Sequence, residues 1–162
     1  MDNLYSPWRI DYILTEKKKG CIFCIKPQEN DDKKYLILKR GKFSYIIMNL
    51  FPYNNAHLMV VPYRHVSNLS LLNDEELFEL IKLTQLCEKV INKVYTPDGL
   101  NVGINLGESA GAGIAEHLHV HIVPRWNGDT NFISTVGNTR VIPEKMEDTY
   151  NKLLKAFETY EL

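Results

Sequence analysis

Three histidines alternate with aliphatic side chains in the run His117-Leu118-His119-Val120-His121-Ile122-Val123-Pro124-Arg125. Successive side chains of a strand point to opposite faces, so His117, His119 and His121 would share one face and Leu118, Val120 and Ile122 the other. One face can feed a core while the other presents imidazoles to a ligand. The run is interior and closed by Pro124, unlike a purification tag. A neutral imidazole, with a reference pKa of roughly 6.5, keeps a free lone pair near neutrality and can act as a nucleophile. Attack by that nitrogen divides a phosphoryl or nucleotidyl transfer into two displacements. His119, in the middle, is best placed for this, and its strand-mates can contact phosphate or bind metal. His57 opens another predicted strand and can add a fourth imidazole.

Two further groupings bear on chemistry. The loop Gly107-Glu108-Ser109-Ala110-Gly111-Ala112-Gly113 leads towards the histidines with little side-chain bulk, so its N–H groups can cradle an anion. Glycine-rich turns also arise for geometric reasons alone. Cys21 and Cys24 stand at Cys-x-x-Cys spacing, which suits half a zinc site or a redox pair. No thioredoxin-like βαβ pattern surrounds them, which weighs against redox chemistry. Cys87 falls in a helical pattern and reads as a small core residue.

The elements that must position these groups follow from periodicity. Residues 4–15 read as a short helix or an extended arm, and 27–34 as a polar loop. Tyr35 to Lys39 and Phe43 to Met48 predict a hairpin, and His57 to Val61 a third strand, an arrangement that suggests an antiparallel meander. From Asn73 to Tyr95, Leu77, Leu80, Ile81, Leu83, Cys87, Val90, Ile91 and Val94 recur at helical steps, with Asn73 and Glu76 placed for a capping box. Leu100 to Leu106 predicts a fourth strand, and the histidine run a fifth. A loop over 126–138 precedes a C-terminal helix from about Pro143, with Met146, Tyr150, Leu153, Leu154 and Phe157 on one stripe. This order predicts an α+β domain with an antiparallel sheet and helices on one face.

With 162 residues and 44% hydrophobic content, the chain fits one domain. Lys and Arg number 19 against 20 Asp and Glu, so no global basic field invites a nucleic acid polymer or an anionic membrane. No apolar run approaches the roughly 20 residues of a membrane span, and Met1 to Tyr5 lack a signal-peptide pattern. A cytoplasmic location is expected, which the odd cysteine count fits.

The run His117 to Val123 matches the motif of the histidine-triad (HIT) superfamily of nucleotide hydrolases and transferases. The resemblance extends over residues 20–125, through Asn49-Leu50-Phe51-Pro52-Tyr53, His57 to Pro62, the long helix and Asn105 to Gly111. Tyr5-Ser6-Pro7-Trp8-Arg9 and Pro124 to Phe132 resemble the branch that acts on diadenosine polyphosphates. The resemblance implies a HIT-like fold over 1–162, with an N-terminal arm 1–20 and a C-terminal extension 126–162. It implies His119 as nucleophile, His121 at the scissile phosphate and His57 shaping the electrostatics beneath. Asn49 would bind the ribose and Asn105 the phosphate or leaving group, with Gly107, Ser109, Gly111 and Gly113 lining the nucleotide.

Many members carry Ala-Gly-Gln before the triad, whereas this chain has Ala110-Gly111-Ala112-Gly113 and one residue more. Ser109 or main-chain amides would then hold the leaving group. Some relatives bind structural zinc through a Cys-x-x-Cys, a downstream histidine and the first triad histidine, which here implies Cys21, Cys24, His65 and His117. The family usually forms a homodimer through its long helix and an edge strand. The expected activity is nucleotidyl transfer from a dinucleoside polyphosphate or another purine nucleotide, to water or to phosphate. The alternatives are a nucleotide-binding regulatory protein, a nucleoside phosphoramidate hydrolase, or a metalloprotein with all three triad histidines on one ion.

Overall fold

The computed structural model describes residues 20–137, 139 and 141–161; the arm read over 4–15 lies outside them. The elements are α1 (Ile22–Ile25), α2 (Asp32–Tyr35), β1 (Ile37–Arg40), β2 (Ser44–Met48), β3 (Leu58–Pro62), α3 (Asp74–Tyr95), β4 (Gly99–Ile104), β5 (Val120–Arg125), α4 (Phe132–Val136) and α5 (Met146–Phe157). Short 3-10 turns occupy Lys26–Glu29, Leu69–Leu71 and Glu108–Ala110.

The strands form one sheet in the order β1-β2-β3-β5-β4, antiparallel throughout. The meander therefore holds through β3, after which α3 crosses the sheet and β5 returns to lie between β3 and β4. Alternation along the strands separates two cores. Ile46, Leu58, Val60, Leu118, Val120 and Ile122 face α3 and α5, where they meet Leu80, Leu83, Cys87, Val90, Ile91, Tyr150, Leu153 and Phe157. Tyr45, Ile47, Met59 and Val61 face the other way and pack with Phe23 and Ile37. Burying each large aliphatic side chain contributes about 1.5–3 kcal/mol, so the first cluster dominates stability.

Helix α3 begins where expected. Asn73 Oδ1 accepts from the Glu76 N–H at 2.9 Å, and the Glu76 carboxylate accepts from the Asn73 N–H at 2.9 Å. Its buried stripe is narrower than the periodicity implied, because Leu77 and Ile81 are 38% and 57% exposed. The helix lies across β2, β3 and β5. Glu79 fastens the helix to the β1–β2 turn, accepting from the N–H groups of Lys42, Phe43 and Ser44 at 2.7, 2.6 and 2.7 Å. Gly41 lies so close that a Cβ there would stand 2.9 Å from the Glu79 carboxylate carbon and from the Ser44 carbonyl oxygen.

Several boundaries differ from the sequence reading. Pairing on both sides of β5 begins at Val120, while Leu118 N–H donates to the Val66 carbonyl at 2.6 Å, so His117 and His119 precede the ladder. The loop over 126–138 contains α4, started by Asn131, which accepts from the Ile133 and Ser134 N–H groups at 3.0 and 3.2 Å. The polar stretch 27–34 contains the start of α2, capped by Asp31.

The C-terminal helix starts at Met146, because Glu144 is turned inward. Its carboxylate accepts from Tyr95 Oη and Thr149 Oγ1 at 2.6 Å each, from Asn55 Nδ2 at 3.3 Å and from Lys152. That network joins the C-terminal segment to the turn that delivers His57. Among the described residues, no helix is long and apolar enough to cross a membrane.

Candidate active site and metal cluster

The alternation expected of the histidine run survives its shortened ladder: Leu118, Val120 and Ile122 enter the helix-side core, and the imidazoles face away from it. The imidazoles do not converge on a point. His57, His119 and His121 form one contiguous group, with ring centroids 5.1 Å apart for His57–His121 and 4.7 Å for His119–His121. His117 turns instead towards Cys21, Cys24 and His65. This divergence disfavours a single ion held by all three triad histidines.

Hydrogen bonds decide which nitrogen of each ring carries a proton. His119 Nδ1 lies 2.8 Å from the carbonyl oxygen of His117, which can only accept. The proton is therefore on Nδ1, and Nε2 keeps its lone pair. His57 Nδ1 accepts the Tyr53 N–H at 3.1 Å, with Asn49 Nδ2 at 3.3 Å. The His57 proton is then on Nε2, which donates across 2.9 Å to His121 Nδ1. His121 is left with its N–H at Nε2. One ring thus offers a lone pair and its neighbour a donor, as nucleophilic attack on a phosphate ester requires.

Burial keeps these rings neutral. It pushes His57 down to about 3, with the His121 and His119 charges adding to the effect. Burial and then His119 lower His121 to about 4. Burial also lowers His119, opposed by its bond to the His117 carbonyl.

Two aromatic residues that sequence reasoning missed hold the rings. Phe23, inside the Cys-x-x-Cys, packs on His119 and His117 at centroid distances of 5.1 and 5.5 Å. Its carbonyl is gripped by Tyr45 Oη at 2.8 Å. Tyr53 stacks over His57 and His121 at 4.7 and 5.8 Å. An aromatic flanked by the cysteines, and another four residues before His57, were the available signals.

Asn49 sits beside His57, as described. Asn105 follows β4 and donates through Nδ2 to the Gly111 carbonyl at 3.5 Å, tying the glycine loop to the sheet. That loop is exposed at Gly107, Ser109, Gly111 and Gly113. Gly107 and Gly111 take φ of 85° and 90°, a conformation that favours glycine. Beside His121 a cavity of about 560 Å³ opens, lined on this side by Tyr53, Asn105 and residues of β4 and β5.

A second cluster brings together all four residues that the resemblance implies as metal ligands. One ligand atom from each of Cys21, Cys24, His65 and His117 lies within 4.8 Å of the others. Separations within the set include 3.2 Å (Cys21 Sγ–His117 Nδ1), 3.4 Å (Cys24 Sγ–His65 Nδ1), 3.5 Å (Cys24 Sγ–His117 Nδ1) and 3.2 Å (His65 Nδ1–His117 Nδ1). Bonds of roughly 2.0–2.3 Å to a tetrahedral zinc place the ligand atoms roughly 3.3–3.8 Å apart, so the set fits. His117 Nε2 donates to the Pro62 carbonyl at 2.8 Å, which leaves Nδ1 as the free ligand atom. Burial, followed by Cys21, pushes the Cys24 thiol up to about 11, so a cation would have to stabilise its thiolate.

Comparison with known proteins places these features. A family model described as the HIT domain matches residues 30–128. The chain is 46% identical over 158 residues to a protein named AP-4-A phosphorylase from Mycobacterium tuberculosis, covering 92% of this chain and 80% of the relative. It is 37% identical over 93 residues to a bis(5'-nucleosyl)-tetraphosphatase [asymmetrical] from Schizosaccharomyces pombe, covering 57% and 50%. Among solved structures, a hypothetical histidine triad nucleotide-binding protein from Sulfolobus tokodaii superposes with a TM-score of 0.68 at 30% identity, over 86% of this chain and 93% of that one. A zinc-bound histidine triad family protein from Mycobacterium smegmatis gives a TM-score of 0.70 at 24% identity, over 86% and 94%, and shares the fold.

Proposed function

This chain belongs to the HIT-domain family, and we propose that it cleaves dinucleoside polyphosphates of the diadenosine tetraphosphate type through a nucleotidyl-histidine intermediate. The observation that carries the reading is the pair of fixed tautomers, with a lone pair at His119 Nε2 and an N–H at His121 Nε2. His119 Nε2 donates its lone pair to the α-phosphorus. The bond from that phosphorus to the bridging oxygen breaks, and its electron pair leaves on the departing nucleoside polyphosphate. His121 donates to a phosphoryl oxygen as charge develops there, and His57 holds His121 in the donating tautomer. Asn49 binds the ribose of the transferred nucleotide. Asn105 and the loop of Gly107, Ser109, Gly111 and Gly113 meet the phosphates.

The phosphorus–nitrogen bond is then opened by inorganic phosphate, giving ADP, or by water, giving AMP. Similarity to the phosphorylase spans most of both chains, whereas that to the tetraphosphatase spans about half, which supports phosphate as the acceptor. Cys21, Cys24, His65 and His117 would hold a structural zinc. Its contribution would be to fix the knuckle against the catalytic segment. The described residues would form one domain, with those beyond 126 as an extension of the family's core. A homodimer would cover β4, an edge strand, together with the exposed side chains of Leu77, Ile81 and Val102.

Product analysis with diadenosine tetraphosphate, with and without inorganic phosphate, tests the reading. ADP with ATP supports phosphorolysis, and AMP with ATP supports hydrolysis. A labelled AMP adduct that is absent from His119→Ala supports the intermediate, and undiminished turnover in that variant overturns it.

A further inference from the structure

We infer that the cavity beside His121 receives the departing nucleoside polyphosphate, and that Gly103 and Arg125 there set a preference for leaving groups that carry a second nucleoside. This rests on the reaction proposed above and assigns its second subsite. Asn49 follows β2 and Asn105 follows β4, so the two asparagines stand on opposite sides of β5 in the sheet. A nucleotide held from the Asn49 side leaves the β4 side for what departs, and Asn105 lines the cavity there.

The register explains why the space is open. Gly103 pairs with His121, Asn101 with Val123 and Gly99 with Arg125, and directly paired residues of antiparallel strands face the same side. The site face of β4 therefore carries hydrogen, asparagine and hydrogen alongside β5. A Cβ on Gly103 would meet nothing within 4 Å, so packing does not require glycine there. A glycine inside a strand also costs stability relative to a β-branched residue. What glycine supplies is room next to His121.

The groove has a direction. From His121 to Arg125 it runs four residues, roughly 13 Å at strand spacing, comparable with a triphosphate and part of its sugar. Arg125 stands at the far end as the cationic lining residue, held through Nε by Asp129 at 2.8 Å and through Nη1 by Asn101 at 3.3 Å. Tyr53, half exposed above His121, supplies an aromatic wall on which a base can stack. A small leaving group such as ammonia fills none of this.

The test compares kcat/KM for diadenosine tetraphosphate with that for adenosine 5'-phosphoramidate. Both pass through the same AMP–His119 adduct and differ in what leaves. Gly103→Val should lower the ratio of the two constants by about tenfold or more, mainly through KM. Arg125→Gln should lower it by about threefold. An unchanged ratio in both variants, or equal loss on both substrates, overturns the inference. If Gly103→Val does not fold, as judged by its melting curve, Arg125→Gln decides. Failure of the unmodified protein to cleave either compound would instead strike down the reaction itself.

Discussion

His57 and His121 meet nitrogen to nitrogen, Nε2 to Nδ1 at 2.9 Å, while the Tyr53 N–H occupies the other nitrogen of His57. The Tyr53 N–H therefore decides, through His57, which nitrogen of His121 carries the proton. His57→Ala frees His121 to adopt either tautomer and is expected to lower kcat by about 10²-fold, within the range for lost proton positioning. His119→Ala should abolish the AMP adduct. Rapid-quench measurement of adduct formation separates the two: the first variant forms it slowly, the second not at all.

The buried neutral histidines make stability depend on acid. In the unfolded chain, His57 binds its proton near pH 6.5, and in the folded chain only near 3. Between those values the unfolded state holds more protons, so stability is full above about 6.5 and falls as pH drops. By pH 5, His57 alone should cost about 2 kcal/mol. Glu144, raised by burial but pulled down more strongly by Lys152, Thr149, Tyr95 and Asn55 to about 2, adds a second loss below about pH 4.5. Denaturant melts at pH 7.5, 6, 5 and 4 should show two declining stages, and a flat profile from 7.5 to 5 would contradict the first.

Purified under reducing conditions, the protein is expected to carry about one zinc per chain. Cys21→Ser should release it and lower stability by about 3 kcal/mol, roughly 6–12 °C in Tm for a chain of this size. Metal analysis together with calorimetry checks this. Equal zinc content in Cys21→Ser and the parent would remove Cys21 from the ligand set.

Gly41→Ala forces a Cβ within 2.9 Å of Glu79 and of the Ser44 carbonyl oxygen, while Glu79→Ala leaves three backbone donors without their acceptor. Each should destabilise by about 1–3 kcal/mol, read as a lower denaturant midpoint. Specific activity per folded molecule should stay at the parent level, since the clamp lies on the β1–β2 turn.

The histidine strand, the helix from Asn73 and the Cys-x-x-Cys knuckle were legible because each is a local pattern of side chains: alternation, a 3.6-residue period and a short spacing. The tautomers were not. They are set by the carbonyls of His117 and Pro62 and by the Tyr53 N–H, and main-chain groups carry no signature in residue identity. Leu77 and Ile81 read as core because periodicity shows which residues share a stripe but not how wide the surface beneath it is. Helix α4 hid in the 126–138 loop, where Asn131 and Ser134 form a cap ahead of only five helical residues. Phe23 and Tyr53 escaped notice because an aromatic residue means little until the ring it touches is known.

His117 serves two masters: its imidazole closes the Cys/His cluster, and its carbonyl holds the proton of the nucleophile's far nitrogen. The Cys/His cluster and the nucleophile are therefore joined through a single residue. A shift of the chain at residue 117 would thus reach the nucleophile with no change in any catalytic side chain.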